Sequence, residues 1–485
     1  MRQRLSFYAY LAQLRFAEAL AQRKPGDWPA DGWELWAAYR LGLYHTVAQA
    51  PWDGRHLKGG VAMAVSLAAC GHADDARQVV QRLLARHGQG RYRHELADAL
   101  APFDPELALS LLDAPHTPSV LYLALQLRTG QAAAAAASLH KALEHGHSAR
   151  QPELWLLATN ALGGSPDEQL ARLNAWLGHF GLPPLALRDA ALPPAPGNLC
   201  ARQAPTPVAG GPLVSVLMTA YNAADRIGAA LEGLLNQSWQ NLEVLVADDA
   251  SHDDTVAVVQ AVAARDARVR LLRMPCNVGT YAAKSAALAQ AQGELVTCHD
   301  ADDWSHPLRI EQQVQPLLKN PRLVATTSKW VRMEDNGSFY ARPVHPLARL
   351  NPASPLFRRE LVLQRTGAWD CVRTGADSEF HTRLRLVFGR QAVLRMKQPL
   401  ALGSHRPNSL MTAQDTGYTA SGISPNRLAY WEAWTHWHID CLRQGHKPVM
   451  PPWHEARAFA VPPAIAVPAP NLAHCLAGPA TVPGA

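Results

Sequence analysis

The sequence predicts an α/β domain built on a mostly parallel sheet, preceded by an all-α helical-repeat domain. From Val214 onward, short apolar runs rich in β-branched residues alternate with helix-length amphipathic segments, the signature of a sheet covered by helices on both faces. The first 180 or so residues are instead rich in Ala and Leu, with almost no strand signal. The stretch Cys298-His-Asp-Ala-Asp-Asp-Trp304 ends one apolar run in Asp300, Asp302 and Asp303, and the carboxyl ends of strands are where open α/β sheets bind ligands.

In the all-α part, residues 1–181, small-residue turns near Gly71-His-Ala73, Phe103-Asp-Pro105, Gly130-Gln131 and Gly163-Gly164 recur at intervals of roughly 30 residues. Segments 62–69 with 73–84, and 121–127 with 132–143, read as helical hairpins that loosely resemble tetratricopeptide-type repeats without their full consensus. Such an array either offers a surface to a protein partner or braces the neighbouring domain. Residues 182–212 carry eight prolines and read as a linker. The α/β domain is expected over 213–445. A Pro/Ala-rich tail at 446–485 is expected to be disordered.

Within 213–445 the strand-like runs are 214–220, 242–247, 269–274 and 323–327, and the helical ones 225–236, 253–265, 281–291 and 308–319. The first strand finishes at Thr219-Ala-Tyr221-Asn222. The second finishes at Asp248-Asp249-Ala-Ser251, followed by Asp253-Asp254-Thr255. After the third come Asn277-Val-Gly279-Thr280 and then Lys284, about one helical turn on. A tyrosine face, a carboxylate that accepts from a base N–H and a lysine near phosphate make a nucleotide cradle. Taken singly, Tyr221 also suits a core, Asp249 or Asp253 a helix cap and Gly279 a turn. Asp300, Asp302 and Asp303 repel one another unless a metal, an Arg or solvent compensates. A hard cation such as Mg2+ or Mn2+ suits these oxygens, and so does a solvated turn capping the next helix.

Val214-Ser-Val-Leu-Met-Thr-Ala-Tyr-Asn222, Leu234-Leu-Asn-Gln-Ser-Trp-Gln-Asn-Leu-Glu-Val-Leu-Val-Ala-Asp-Asp-Ala-Ser251 and Asp300-Ala-Asp302 occur in the order of a known family. From Pro212 to about Tyr418 the chain resembles the family 2 glycosyltransferases, which have the GT-A fold. The resemblance implies inverting transfer of a sugar from a nucleotide donor to a glycan or glycolipid hydroxyl, with a divalent metal, Mg or Mn. It implies that Thr219, Tyr221 and Asp249 hold the base; Asn277, Gly279 and Lys284, from the residue pattern of the cradle, complete the donor contacts. Asp300 would lie near the ribose, and Asp302 in the DXD motif would bind the metal, with Asp300 beside it. Relatives usually carry Arg-Asn where this chain has Lys284-Ser285, so the bidentate fork of Arg is replaced by a point charge.

An inverting transfer needs a base for the acceptor proton. Thr374-Gly-Ala-Asp377-Ser-Glu379-Phe380 resembles the segment that supplies it, with Asp377 at the matching position and Glu379 as fallback. Phe380, Leu384 and Phe388 repeat at helical spacing, so Asp377 starts a helix after Gly375, where an ordinary N-cap is the alternative role. In the later loop from His405 to Thr412, His405 could ligate metal or contact phosphate, and Arg406 could meet the diphosphate.

The composition, 48% hydrophobic and 18% charged over 485 residues, is that of a globular protein. A net charge of +6 without a long basic block argues against nucleic acid as partner, while leaving attraction to anionic lipid or to a phosphate-bearing acceptor. Seven scattered Cys without metal or redox spacing point to a reducing compartment. The N-terminal apolar stretch is broken by Arg15 and Glu18, no run reaches the length of a transmembrane span, and the Gln-x-x-Arg-Trp motif of processive synthases is absent. The reading is a cytoplasmic enzyme, with peripheral contact at the inner face of the membrane left open, adding sugars in bacterial surface glycan synthesis. A helical scaffold with an inactive transferase domain and a nucleotidyltransferase are the rival readings. An aromatic helix at 427–442, with Tyr430, Trp431, Trp434 and Trp437, packs on the core or faces an acceptor or membrane.

Overall fold

A computed structural model describes residues 2–24, 31–88, 90–113, 119–407, 409, 412–413, 415–419, 422–476 and 480–481. The N-terminal part is all helical up to the helix Pro166–Gly178. Ser165 caps that helix in a reciprocal box with Glu168 and Pro166 occupies its first turn, so its orphan donors are satisfied by sequence-local groups. Both expected hairpins form, as Leu57–Ala69 against Ala73–His87 and Val120–Arg128 against Ala132–Glu144.

The α/β part is built on seven strands: β1 (Val214–Ala220), β2 (Leu242–Asp248), β3 (Val269–Arg273), β4 (Leu295–Asp300), β5 (Ala325–Met333), β6 (Leu356–Arg358) and β7 (Val393–Ser404). Their order across the sheet is β3-β2-β1-β4-β6-β5-β7, with Ala480–Thr481 beyond β3 and Trp304–Ser305 beyond β7. The pairs β1/β2, β2/β3, β1/β4 and β5/β7 are parallel, and β6 runs antiparallel to both neighbours. Every residue of β2 is buried, as expected of a parallel strand covered on both faces. The chain leaves β1 towards β2 on one side and reaches β4 on the other. The gap between the ends of β1 and β4 is therefore a topological switch point.

One face of the sheet packs on the helices Ile227–Leu235, Thr255–Ala263 and Arg309–Lys319. The other packs on Thr280–Ala289, Ala376–Phe388 and Pro425–Arg443. A third apolar cluster joins the N-terminal helices to Val331, Met333, Leu400 and Leu402 of β5 and β7. The aromatic helix, observed over Pro425–Arg443, buries Tyr430 and Trp434. On its other side Trp431 donates to the Leu41 carbonyl at 2.8 Å, and the Glu432 carboxylate accepts from the backbone N–H groups of His45 and Thr46. Packing, the first of its two readings, accounts for these contacts.

The linker, residues 182–212, is a packed connector, whereas the disorder expected of the tail needs correction. Leu185–Leu187 pairs with Leu199–Ala201, Leu182, Leu185 and Leu199 are buried, and the Asn198 amide donates to the carbonyls of Asp189, Leu192 and Pro193. The segment after residue 446 is also folded as far as residue 476, because Ile465, Val467, Leu472 and Cys475 punctuate its prolines and enter the core. Met450 N–H donates to the Thr366 carbonyl, Arg373 N–H to the Ile465 carbonyl, and Arg457 pairs with Asp370 at 2.6 Å. Residues 477–479 and 482–485 of the expected tail lie outside the described residues.

Truncation after Lys447 is therefore expected to destabilise the chain, since burying an Ile, Val or Leu side chain contributes about 1.5–3 kcal/mol each. Thermal unfolding checks this: a clear fall in Tm or loss of soluble protein is expected, and an unchanged Tm would show that the segment adds nothing.

Candidate active site

The switch point gathers most of the residues singled out in the sequence. Register places Thr219 of β1 directly beside Asp300 of β4. Past the end of β1 the backbone turns through Asn222 at φ +47°, a conformation Asn tolerates because its short side chain hydrogen-bonds locally. Asn222 N–H donates to Ser251 Oγ at 3.0 Å, and Asn222 Oδ1 accepts from His252 N–H at 2.9 Å, so the loops after β1 and β2 are locked together. Tyr221 is 47% exposed, with its ring edge-on to His252. That removes the core reading and leaves a free aromatic face at the rim.

Asp249 is buried, and its two carboxylate oxygens accept from Val278 N–H at 2.7 Å and Gly279 N–H at 2.8 Å. Burial pushes its carboxyl up to about 6, against those two hydrogen bonds and nearby Arg373. Asn277 donates to the Asp249 carbonyl and accepts from Arg373 Nη1 at 2.8 Å. Gly279 has φ +76°, and a Cβ there would lie 2.7 Å from Arg373 Cα, so only glycine fits. Asp249, Asn277 and Gly279 thus form one preorganised unit. Asp249 shapes the pocket through its loop, and each oxygen keeps a lone pair for a ligand N–H.

Lys284 departs from expectation. Its side chain is buried, with Nζ 3.3 Å from Asp300 Oδ1 and 3.9 Å from Asp377 Oδ1, so it supports two carboxylates instead of presenting a charge to phosphate. Burial opposes its charge, but Asp300 and Asp377 outweigh that and hold the ammonium well above its ordinary value. Asp300 is correspondingly lowered: burial would raise it, and Lys284 reverses the sign. Asp302 is raised, first by burial and then by Asp300, with Arg406 and Arg332 opposing. Arg406 Nε donates to Asp302 Oδ2 at 3.2 Å. Asp303 turns away, its Oδ1 accepting from Ser404 N–H at 3.0 Å.

These oxygens fit a hard cation, because Asp302 carries the repulsion of Asp300 with only part of it offset by arginine. The expected third ligand does not join them. His405 is stacked on Tyr340, with centroids 3.6 Å apart and planes 3° apart, and burial and the cations Arg332 and Arg128 bring its pKa down to about 4. Among the described residues no group of three or more His, Cys, Asp or Glu is assembled as a metal site. A metal here would rely on carboxylate together with substrate phosphate.

Asp377 lies at the second position of the helix Ala376–Phe388. Gly375, at φ +94°, occupies the N-cap, and no side chain caps this end, which removes the cap reading of Asp377. Among the described residues its Oδ1 has no hydrogen-bond partner, with Lys284 Nζ 3.9 Å away. Burial raises its pKa, Lys284 opposes, and Asp300 adds to the rise.

Glu379 has to be set aside as the fallback base. It is fully buried, its two oxygens accept from Arg383 at 2.7 and 2.8 Å, and His438 Nε2 lies 2.9 Å from Oε1. Burial alone would raise its carboxyl, but Arg383 brings it down to about 2. Arg383 also donates to the Ala368 carbonyl, closing a structural knot. Glu379→Ala is expected to cost about 3–5 kcal/mol by leaving that guanidinium buried and unpaired. Denaturant unfolding checks this, and wild-type stability in the variant would contradict it.

Tyr281, Arg332 and Arg373 were not singled out from the sequence. Tyr281 had a signal, since it precedes Lys284 by three positions on one helix face. Arg332 and Arg373 had none, as they reach the site from β5 and from a loop.

Residues 215–375 match the family described as Glycosyl transferase family 2. An uncharacterized glycosyltransferase of Haemophilus influenzae is 34% identical over 127 residues, 26% of this chain and 50% of that protein. The succinoglycan biosynthesis protein ExoO of Rhizobium meliloti is 32% identical over 157 residues, 31% of this chain and 44% of that protein. Among solved structures, a mannosyltransferase from Pyrobaculum calidifontis in complex with GDP-Man and Mn2+ aligns with a TM-score of 0.33 and 22% identity, covering 41% of this chain and 58% of that one. The chain spans half or less of the length of these curated relatives. Among the described residues no helix is long and apolar enough to cross a membrane.

Proposed function

We propose, for a chain whose residues 215–375 form a family 2 glycosyltransferase domain, that it moves a sugar from a nucleoside-diphosphate donor to a glycan or glycolipid hydroxyl with inversion at the anomeric carbon. The observation that carries this reading is the line Asp302, Asp300, Lys284, Asp377 across the switch point, where two carboxylates of different environment share one buried ammonium. Tyr221 offers its exposed face to the nucleobase, Asp249 accepts a base N–H, and Thr219 and Asp300 border the ribose. Arg406, paired with Asp302 at the rim, meets the diphosphate. Asp302, with Asp300 beside it, would hold a divalent cation, which when bound supplies charge neutralisation for the departing diphosphate.

Asp377 accepts the acceptor hydroxyl proton as that oxygen attacks the anomeric carbon from the face opposite the diphosphate. The bond from that carbon to the diphosphate oxygen breaks and nucleoside diphosphate leaves. A base must be ionised to act, and Lys284 holds that charge on Asp377 while burial keeps the carboxylate basic. The helical part braces the open edge of the sheet through β5 and β7. Relatives of the kind reported above suggest surface polysaccharide as the product class.

Thermal unfolding with uridine and guanosine diphosphates plus Mn2+ tests the donor assignment. One of the two is expected to raise Tm in wild type, with the shift reduced in Tyr221→Ala. No protection by either nucleotide would contradict the reading.

A further inference from the structure

Two thiols 199 residues apart meet beneath the donor loop. Cys276 Sγ and Cys475 Sγ are 3.5 Å apart, and Cys475 Sγ lies 3.7 Å from the Cys276 carbonyl oxygen. Among the described residues no other two thiols lie in hydrogen-bond contact. Cys276 directly precedes Asn277-Val278-Gly279, whose backbone holds Asp249. Cys475 lies on the helix Ala469–Leu476, which packs against Thr280–Ala289, the helix carrying Tyr281 and Lys284. We infer that Cys276 and Cys475 form an oxidisable dithiol site which, closed as a disulfide, ties the C-terminal helix to the donor loop. The sulfurs need approach by only about 1.5 Å to reach bonding distance, within the range of side-chain rotation.

The reagent class is a small-molecule disulfide such as oxidised glutathione. Cys276 is partly exposed and Cys475 is buried, with burial pushing the Cys475 thiol up to about 12. Entry is therefore at Cys276, since the thiolate is the nucleophile. Cys276 attacks one sulfur of the reagent, forming a mixed disulfide and releasing one small thiol. Cys475 then gives up its proton and attacks Cys276 Sγ, releasing the second small thiol. The two electrons from the protein thiols reduce the reagent disulfide, and their two protons end on the released thiols. The closed form links residues far apart in sequence, which constrains the unfolded chain strongly, and it stiffens the turn that positions Asp249.

The effect on donor binding rests on the transferase reading above, whereas the thiol chemistry does not. Full-length protein is incubated with oxidised glutathione and then with dithiothreitol. Expected results are loss of two of the seven thiols, a proteolytic fragment joining Cys276 to Cys475, and a Tm rise of several degrees that dithiothreitol reverses. Cys475→Ser is expected to stop at the mixed disulfide on Cys276 without that rise, and Cys276→Ser to lose no thiol. Seven retained thiols, an unresolved mixed disulfide in wild type or a fragment joined elsewhere would overturn the site. Equal affinity of both redox forms for the nucleoside diphosphate that protects the protein would overturn its coupling to the donor loop, leaving the disulfide intact.

Discussion

Asp377→Asn is expected to lower the transfer rate by about 10²-fold or more, the usual range for losing a general base, with donor affinity and Tm close to wild type. The amide keeps the shape of the carboxylate, but it cannot take the acceptor proton. Because burial raises the Asp377 pKa, the acidic limb of kcat in wild type is expected at higher pH than an ordinary Asp would give. Transfer is full above that raised value and is lost as pH falls through it. Near-normal transfer by Asp377→Asn, with unchanged stability, would remove Asp377 as base. Glu379 could not replace it, because both its oxygens are held by Arg383 in the interior.

Asp302→Ala is expected to abolish metal-dependent transfer, at a cost of about 10²-fold or more for one lost electrostatic partner of the leaving group. Its effect on folding should be small or favourable. Asp302 is raised by burial and by Asp300, so removing it relieves like-charge repulsion while freeing Arg406 at the rim. Steady-state rates across a Mn2+ titration, beside Tm, check both halves. Wild-type turnover in the variant, or collapse of the fold, would each contradict the assignment.

Much of this site was legible because strand ends are legible. The runs ending at Thr219, Asp248 and Asp300 are apolar and β-branched, and their polar terminators mark the carboxyl edge of the sheet. Loop geometry was less accessible. Asp249 does not simply await a ligand but is engaged by the Val278 and Gly279 amides, and the sequence carries no mark of that pairing across 29 residues. Lys284 reads as a phosphate contact until burial shows it sharing its charge between Asp300 and Asp377. Glu379 and Asp377 are two positions apart on one helix, yet one faces the cleft and the other Arg383 in the core. Only packing could separate them. His405 misled for the same reason, since its stack on Tyr340 depends on β5 and β7 lying side by side. The tail at 446–485 reads as disordered because proline and alanine dominate its composition, while a few well-spaced apolar side chains decide its fate.

Cleavage of a nucleotide sugar between the anomeric carbon and the diphosphate is the step on which the proposed transfer depends. Its most direct test is the identity of the phosphate product when the full-length chain is incubated with a panel of UDP- and GDP-sugars and Mn2+. Free nucleoside diphosphate is expected from one donor, increased by a hydroxyl acceptor and lost in Asp302→Ala. Pyrophosphate as the product, or nucleoside diphosphate released equally by Asp302→Ala, would contradict it.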